Sequence, residues 1–219
     1  MTKIAIIPAL NEYQRLNAVI SETYQHVDHI VVVDDGSRTP LKDHLKSDNR
    51  LTVLRHIINL GKGAALKTGV LWAKANDFSI AVFIDADGQH APREIPAMID
   101  PIRRGQADIV FGVRKFHGSM PYMARLGNRF ITKSLQFLYK IKVDDTQSGY
   151  RAIRLNSFDK ICWQSPRYAV ETEMIVNAGK HKVPYAQVPI ETIYHDKYKG
   201  TTIVDGIRIM INMIAWRFL

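Results

Sequence analysis

Residues 81–90 read Ala-Val-Phe-Ile-Asp-Ala-Asp-Gly-Gln-His. Four apolar residues stop abruptly at two carboxylates, a glycine and an amide, as in a strand buried on both faces that breaks into a polar turn. Shorter or longer versions recur at 4–9, 30–33, 51–54 and 109–111, each bounded by Gly, Asp, Asn or Pro. Helical patterns lie between them, around 13–25, 62–76 and 92–104, the last opening with Pro92 at a first-turn position. Alternating strands and helices predict an α/β fold with a mostly parallel central sheet flanked by helices. Further along, the pattern predicts helices over 121–140 and 168–180 and strands over 150–153 and 185–193.

No repeat, low-complexity tract or linker divides the 219 residues, so one domain over 1–219 is expected. Within it, 1–115 form a doubly wound half, 116–202 a less regular half, and 203–219 a separate apolar segment. In that last segment Asp205, Arg208 and Asn212 share one helical stripe and nearly everything else is apolar. Two readings stay open there: a core or oligomer helix, or a helix in the bilayer interface with Arg208, Trp216 and Arg217 near the headgroups. No stretch reaches the roughly 20 apolar residues that span a bilayer. The net charge of +9 favours anionic partners. Cys162 is the only cysteine, which excludes an internal disulfide and suits a reducing compartment.

In parallel α/β sheets, ligands bind beyond the carboxyl ends of the strands. Five clusters follow the apolar runs: Pro8 to Glu12, Asp34 to Ser37, Asn59 to Gly63, Asp85 to His90, and Gly112 to Arg114. Together they offer carboxylate, glycine and cation, which suits a diphosphate held through a divalent metal. Hard cations take oxygen ligands, and Mg²⁺ uses one or two carboxylates with phosphate oxygens and water. Asp85 can then face the donor's ribose or sugar while Asp87 meets the metal, with the Gln89 amide two residues on. Asp34 and Asp35 also suit a plain Asp-Gly turn, and Glu12 a helix start. Lys62, flanked by Gly61 and Gly63 at a helix start, suits a diphosphate contact.

The ordered motifs PALNE (8–12), VDDGS (33–37), NLGKG (59–63), DADGQH (85–90), GVR (112–114) and DTQSGYR (145–151) resemble family 2 glycosyltransferases. The likeness is strongest to their polyprenyl-phosphate branch and runs from Ile4 to about Thr202. It implies a glycosyltransferase A-type fold and a GDP- or UDP-sugar donor. It also implies that Pro8, Leu10, Glu12 and Asp35 line the nucleoside pocket, that Asp85, Ala86 and Asp87 contact the donor, and that Asp87 and Gln89 hold Mg²⁺ or Mn²⁺. Arg114 and Arg125 match positions that meet the acceptor phosphate, and Lys197 stands where the family has an Arg on the donor diphosphate. Leu10 replaces an aromatic residue of the pattern.

The expected reaction is inverting, metal-dependent transfer to a polyprenyl phosphate, dolichyl or undecaprenyl, with Asp87, Arg114 and Arg125 as catalytic residues. The protein is expected in the cytoplasm, peripheral on the cytoplasmic membrane face. The alternative is a family 2 enzyme acting on a sugar hydroxyl, for which Asp145 or Glu173 would be the base. Nucleic acid is not an expected partner: carboxylates cluster at the crevice and no nucleic-acid motif is present. A sugar nucleotidyltransferase would need a Gly-rich, Arg-containing loop after the first strand, which is missing.

Overall fold

The computed structural model describes residues 1–114, 122–167, 169–191, 193 and 215–216, with 122–130 described by backbone alone. The apolar runs form strands β1 (Lys3–Ala9), β2 (His29–Asp34), β3 (Leu51–Arg55), β4 (Ile80–Phe83) and β5 (Ile109–Arg114). Two later strands, β6 (Arg151–Arg154) and β7 (Tyr185–Ile190), complete a seven-stranded sheet of order β3-β2-β1-β4-β6-β5-β7. All pairings are parallel except those of β6, which runs antiparallel to both β4 and β5.

The helices are α1 (Leu16–Thr23), α2 (Lys62–Ala75), α3 (Ile95–Arg103), α4 (Tyr122–Tyr139), α5 (Phe158–Ile161) and α6 (Val170–Lys180). Alternation along each strand divides the core in two. Ile4 and Ile6 of β1 face α2, α4, α5 and α6, whereas Ala5, Ile7 and Ala9 face α1 and α3. In α3, Ile95, Met98, Ile99 and Ile102 supply a buried i, i+3, i+4, i+7 stripe. In α2, small residues do the equivalent work: a Cβ at Gly69 would stand 2.4 Å from Cγ2 of Ile6, so this glycine lets the helix lie close on β1.

The expected α/β architecture is observed, with differences at element ends. The helix expected from residue 13 begins at Leu16, because the chain after β1 first turns through Asn11 at φ 55. The helix expected from residue 92 opens as a 3-10 turn, Pro92–Glu94, before α3. The strand expected to reach 193 ends at Ile190. There the chain leaves the sheet: the N–H of Glu191 donates to Glu94 Oε1 and that of Ile193 to the Gln89 carbonyl. Pro189 is tolerated because β7 is an edge strand. The helix expected over 203–219 lies outside the described residues, apart from Ala215 and a half-buried Trp216 packed on the α2-side core.

The start of α2 is the tightest joint. Gly61 has φ 100, and a Cβ there would lie 2.4 Å from the Pro166 carbonyl oxygen; one at Gly63 would lie 2.2 Å from that of Ser165. The Trp163 indole N–H donates to the Gly63 carbonyl at 2.8 Å. Gly61→Ala therefore meets both a forbidden dihedral and a backbone clash, and is expected to cost about 2–4 kcal/mol. A lowered urea midpoint at unchanged m value would register it.

Candidate functional site

The loops after β1, β2, β3 and β4 and the end of β5 (Gly112 to Arg114) lie at the carboxyl edge of the sheet, where the sequence clusters are. Each owes its course to a buried carboxylate or a close backbone approach. After β2, Asp34 Oδ1 accepts from the Ser37 N–H at 2.8 Å and Oδ2 from that of Leu41 at 3.1 Å, with Arg55 Nη1 at 3.3 Å. Asp35 reaches across to the next loop. Its Oδ1 bonds His56 Nδ1 at 2.7 Å and accepts from the Leu60 N–H at 3.0 Å, while Oδ2 accepts from that of Gly61 at 2.8 Å. Asp35 was expected to serve the nucleoside; three of its roughly four lone-pair sites already fix the 56–61 loop.

After β1, Pro8 is half-buried and Leu10 exposed, while Glu12 Oε1 accepts from the Arg15 N–H at 3.2 Å, the helix-start duty. After β4, Ala86 is buried and the Asp87 loop turns through Gly88 at φ 73. Asp87 Oδ1 accepts from the Gln89 N–H at 3.0 Å, and Oδ2 has no hydrogen-bond partner among the described residues.

Lys62 and Asp85 meet directly. Lys62 Nζ lies 2.7 Å from Asp85 Oδ1 and 3.1 Å from Oε1 of Glu171, in the first turn of α6. Burial alone would lower the lysine pKa, but the two carboxylates outweigh it and hold it above the usual value. Burial opposes ionisation of Asp85 too, yet Lys62, and after it His90, bring its pKa below the ordinary carboxylate range. The lysine expected on a diphosphate thus bonds two carboxylates of the protein. The helix start beside it is also engaged, since the Ala64 N–H donates to the Pro166 carbonyl. His90 is buried and stacked on Tyr150, ring centroids 4.9 Å apart, and burial lowers its pKa.

Arg114, expected on the acceptor phosphate, forks onto Asp145: Nε donates to Oδ2 at 2.6 Å and Nη2 to Oδ1 at 3.0 Å. Asp145 is fully buried. Glu173, the other base expected for a hydroxyl acceptor, accepts from the Gln164 and Ser165 N–H groups, both at 2.8 Å. Both carboxylates are committed to the scaffold. Between the two ion pairs lies Arg151, buried against the Phe111 ring; burial pushes its pKa down to about 10, with Glu171 and Asp145 opposing. Arg125 lies in the first two turns of α4, and Lys197 is outside the described residues.

Sequence reasoning missed Glu171, Arg151 and Gly149. Glu171 looked like an ordinary acid in a helix's first turn. Gly149 admits the Lys62–Asp85 pair, since a Cβ there would lie 2.6 Å from Nζ.

No group of three or more His, Cys, Asp or Glu among the described residues could hold a metal. A cation that takes one protein carboxylate and completes its shell with phosphate oxygens and water needs no such group. Asp87, with one oxygen unengaged at a glycine turn, fits that requirement.

Residues 4–162 match the family described as Glycosyl transferase family 2. A UDP-N-acetylglucosamine--dolichyl-phosphate N-acetylglucosaminyltransferase of Methanococcus voltae is 33% identical, over 95% of this chain and 93% of the relative. A polyprenol monophosphomannose synthase of Mycolicibacterium smegmatis is 28% identical, over 97% and 86%. The fold is like that of glucosyl-3-phosphoglycerate synthase from Mycobacterium tuberculosis, with a TM-score of 0.78 at 20% identity, over 100% of this chain and 80% of that one. Another crystal structure of that synthase, TM-score 0.77, is a complex with Mn²⁺, UDP-glucose and phosphoglyceric acid.

Asp145→Asn should remove the charge from a buried, bidentate ion pair with Arg114. A loss of about 3 kcal/mol is expected in chemical denaturation, far more than a solvated general base would cost.

Proposed function

The chain belongs to glycosyl transferase family 2, and from that premise we propose that it moves a sugar from a nucleoside diphosphate donor to a polyprenyl phosphate. The observation that carries the acceptor is that relatives named for dolichyl and polyprenol phosphates align with nearly the whole chain. A local argument supports it. A sugar hydroxyl must lose a proton as it attacks, but Asp145 and Glu173 are buried and bonded elsewhere. A phosphate monoester arrives already anionic and needs no strong base.

In this reading the nucleoside lies along Pro8, Leu10, Glu12 and the Asp35 loop, and Asp85 with Ala86 borders the ribose or sugar. Asp87 and Gln89 would hold Mg²⁺ or Mn²⁺, whose positive charge stabilises the departing nucleoside diphosphate. Lys197 adds a cation toward that diphosphate. Arg125 binds the acceptor phosphate, and Arg114, anchored by Asp145, keeps its edge of the crevice positively charged. The acceptor oxygen attacks the anomeric carbon opposite the leaving group, in one displacement with inversion.

A lipid acceptor calls for contact with a membrane surface, and α4 supplies one. Lys133, Gln136, Phe137 and Lys140 are exposed on one face, with Phe137 77% exposed and the Lys140 ammonium 5.7 Å from its ring centre. In the sequence Arg125 and Arg129 stand at i, i+4 spacing from Lys133, and α4 contains no acidic residue. No helix among the described residues is long and apolar enough to cross a membrane. In this reading the enzyme is peripheral on the cytoplasmic face, where a nucleotide sugar and a lipid phosphate can meet.

A radiolabelled transfer assay with short polyprenyl phosphates tests the reaction. Transfer should require Mg²⁺ or Mn²⁺ and vanish in EDTA. Arg125→Ala should reduce it about a hundredfold while donor affinity stays within about threefold; ready glycosylation of a soluble saccharide in preference to the lipid would overturn the acceptor assignment.

The α4 face makes a separate expectation. Changing Lys133 and Lys140 together to Gln should weaken co-sedimentation with vesicles containing anionic phospholipid by roughly 10- to 30-fold. Binding to purely zwitterionic vesicles should change little.

A further inference from the structure

The Lys62 ammonium is held by two carboxylates from distant parts of the chain. Asp85 ends the β4 run, and Glu171 stands in the first turn of α6. Gly149 closes the space beside them, where a Cβ would lie 2.6 Å from Nζ and 3.0 Å from Asp85 Oδ2. A lysine side chain bonded to Asp85 alone would leave both partners free to swing about their own torsions. The second bond removes that freedom, because Glu171 itself cannot move far. Val170, Thr172 and Met174 beside it are buried, and Glu173 ties the same turn to the N–H groups of Gln164 and Ser165. The 165–166 carbonyls in turn press on Gly61 and Gly63, which flank Lys62. The starts of α2 and α6 thus form one rigid block, and the ammonium joins that block to Asp85.

Glu171 has a second unusual property. Its side chain is 7% exposed, yet Oε2 is buried with no hydrogen-bond partner, as are Ser148 Oγ and Arg151 Nη1. Glu171 lies between two buried cations, bonded to Lys62 and facing Arg151. Only one of its two oxygens is engaged among the described residues, and that one is on Lys62, so the side chain's orienting contact is the ammonium.

We propose that Glu171 is a positioning residue of the donor site: by fixing Lys62 it holds the Asp85 carboxylate in the orientation in which it meets the donor. This rests on the assignment of Asp85 to the donor made above. Glu171 touches no substrate, so its effect must pass through Lys62, and that dependence is measurable as a coupling between the two positions.

The test is a double-mutant cycle on the full chain. Affinities for UDP-N-acetylglucosamine and for GDP-mannose are measured by calorimetry with Mn²⁺, together with the thermal midpoint of each variant. Glu171→Gln keeps the side-chain shape, and should weaken the donor that wild type binds about tenfold. In a Lys62→Met background, where no ammonium remains to be held, the same change should alter affinity less than twofold. Donor affinity within twofold of wild type for Glu171→Gln, or the same tenfold loss in both backgrounds, would overturn the proposal, because a general loosening of the fold is independent of Lys62. Wild-type protein that binds neither donor would instead sink the functional reading, and the positioning role with it.

Discussion

A single ammonium group, that of Lys62, lies where the two halves of the molecule meet. It draws the loop after β4 and the first turn of α6 onto one point, and three close backbone approaches are needed to bring it there. Gly61 and Gly63 admit the 165–166 strand of chain, and Gly149 admits the ion pair itself. A buried cation with unpaired neighbours would be ruinous in a low-dielectric interior, so the carboxylates around it are a necessity of the packing. Beyond Glu171 the alternation continues through Arg151 to the Asp145–Arg114 pair. Charges of opposite sign thus run beneath the floor of the crevice from one side to the other.

The crevice is rich in carboxylates, but most of them act on the protein. Asp34, Asp35, Asp145 and Glu173 each accept from backbone N–H groups of neighbouring loops. An ionised carboxylate accepts strongly and in several directions, so it organises a loop that has no secondary structure of its own. Asp87 differs. It keeps an oxygen without a described partner while its loop is held by Gly88 and the Gln89 N–H.

This division explains what the sequence could convey. The strands were legible because runs such as Ile30 to Val33 are β-branched and buried on both faces, and α3 because its apolar residues keep strict helical spacing. The converging loops were legible as well, since topology alone sends the residues after parallel strands to one edge. What each carboxylate does there was not. Asp35 and Asp87 look alike in sequence, and only the course of the 56–61 loop shows that Asp35 holds three of its groups while Asp87 keeps an oxygen without a described partner. The carboxylate partners of Lys62 were not legible either, because Glu171 is remote in the chain and nothing local in either segment announces the pair. The fork of Arg114 onto Asp145 was hidden in the same way.

The antiparallel strand β6 has a consequence for how the chain comes to be folded as it is synthesised. Strands β1 to β4 can assemble into a parallel sheet as soon as they exist, but β5 pairs only with β6 and β7. Until residues 151–154 emerge, β5 has no neighbour, and β4 presents a bare edge of apolar strand. Such an edge is a template for pairing with another chain. The segment through β5 is therefore not a module that matures first and waits for the rest. Its last strand is recruited by a segment made later, so the interval before β6 arrives is the one in which a nascent chain is most exposed to aggregation and most in need of a chaperone.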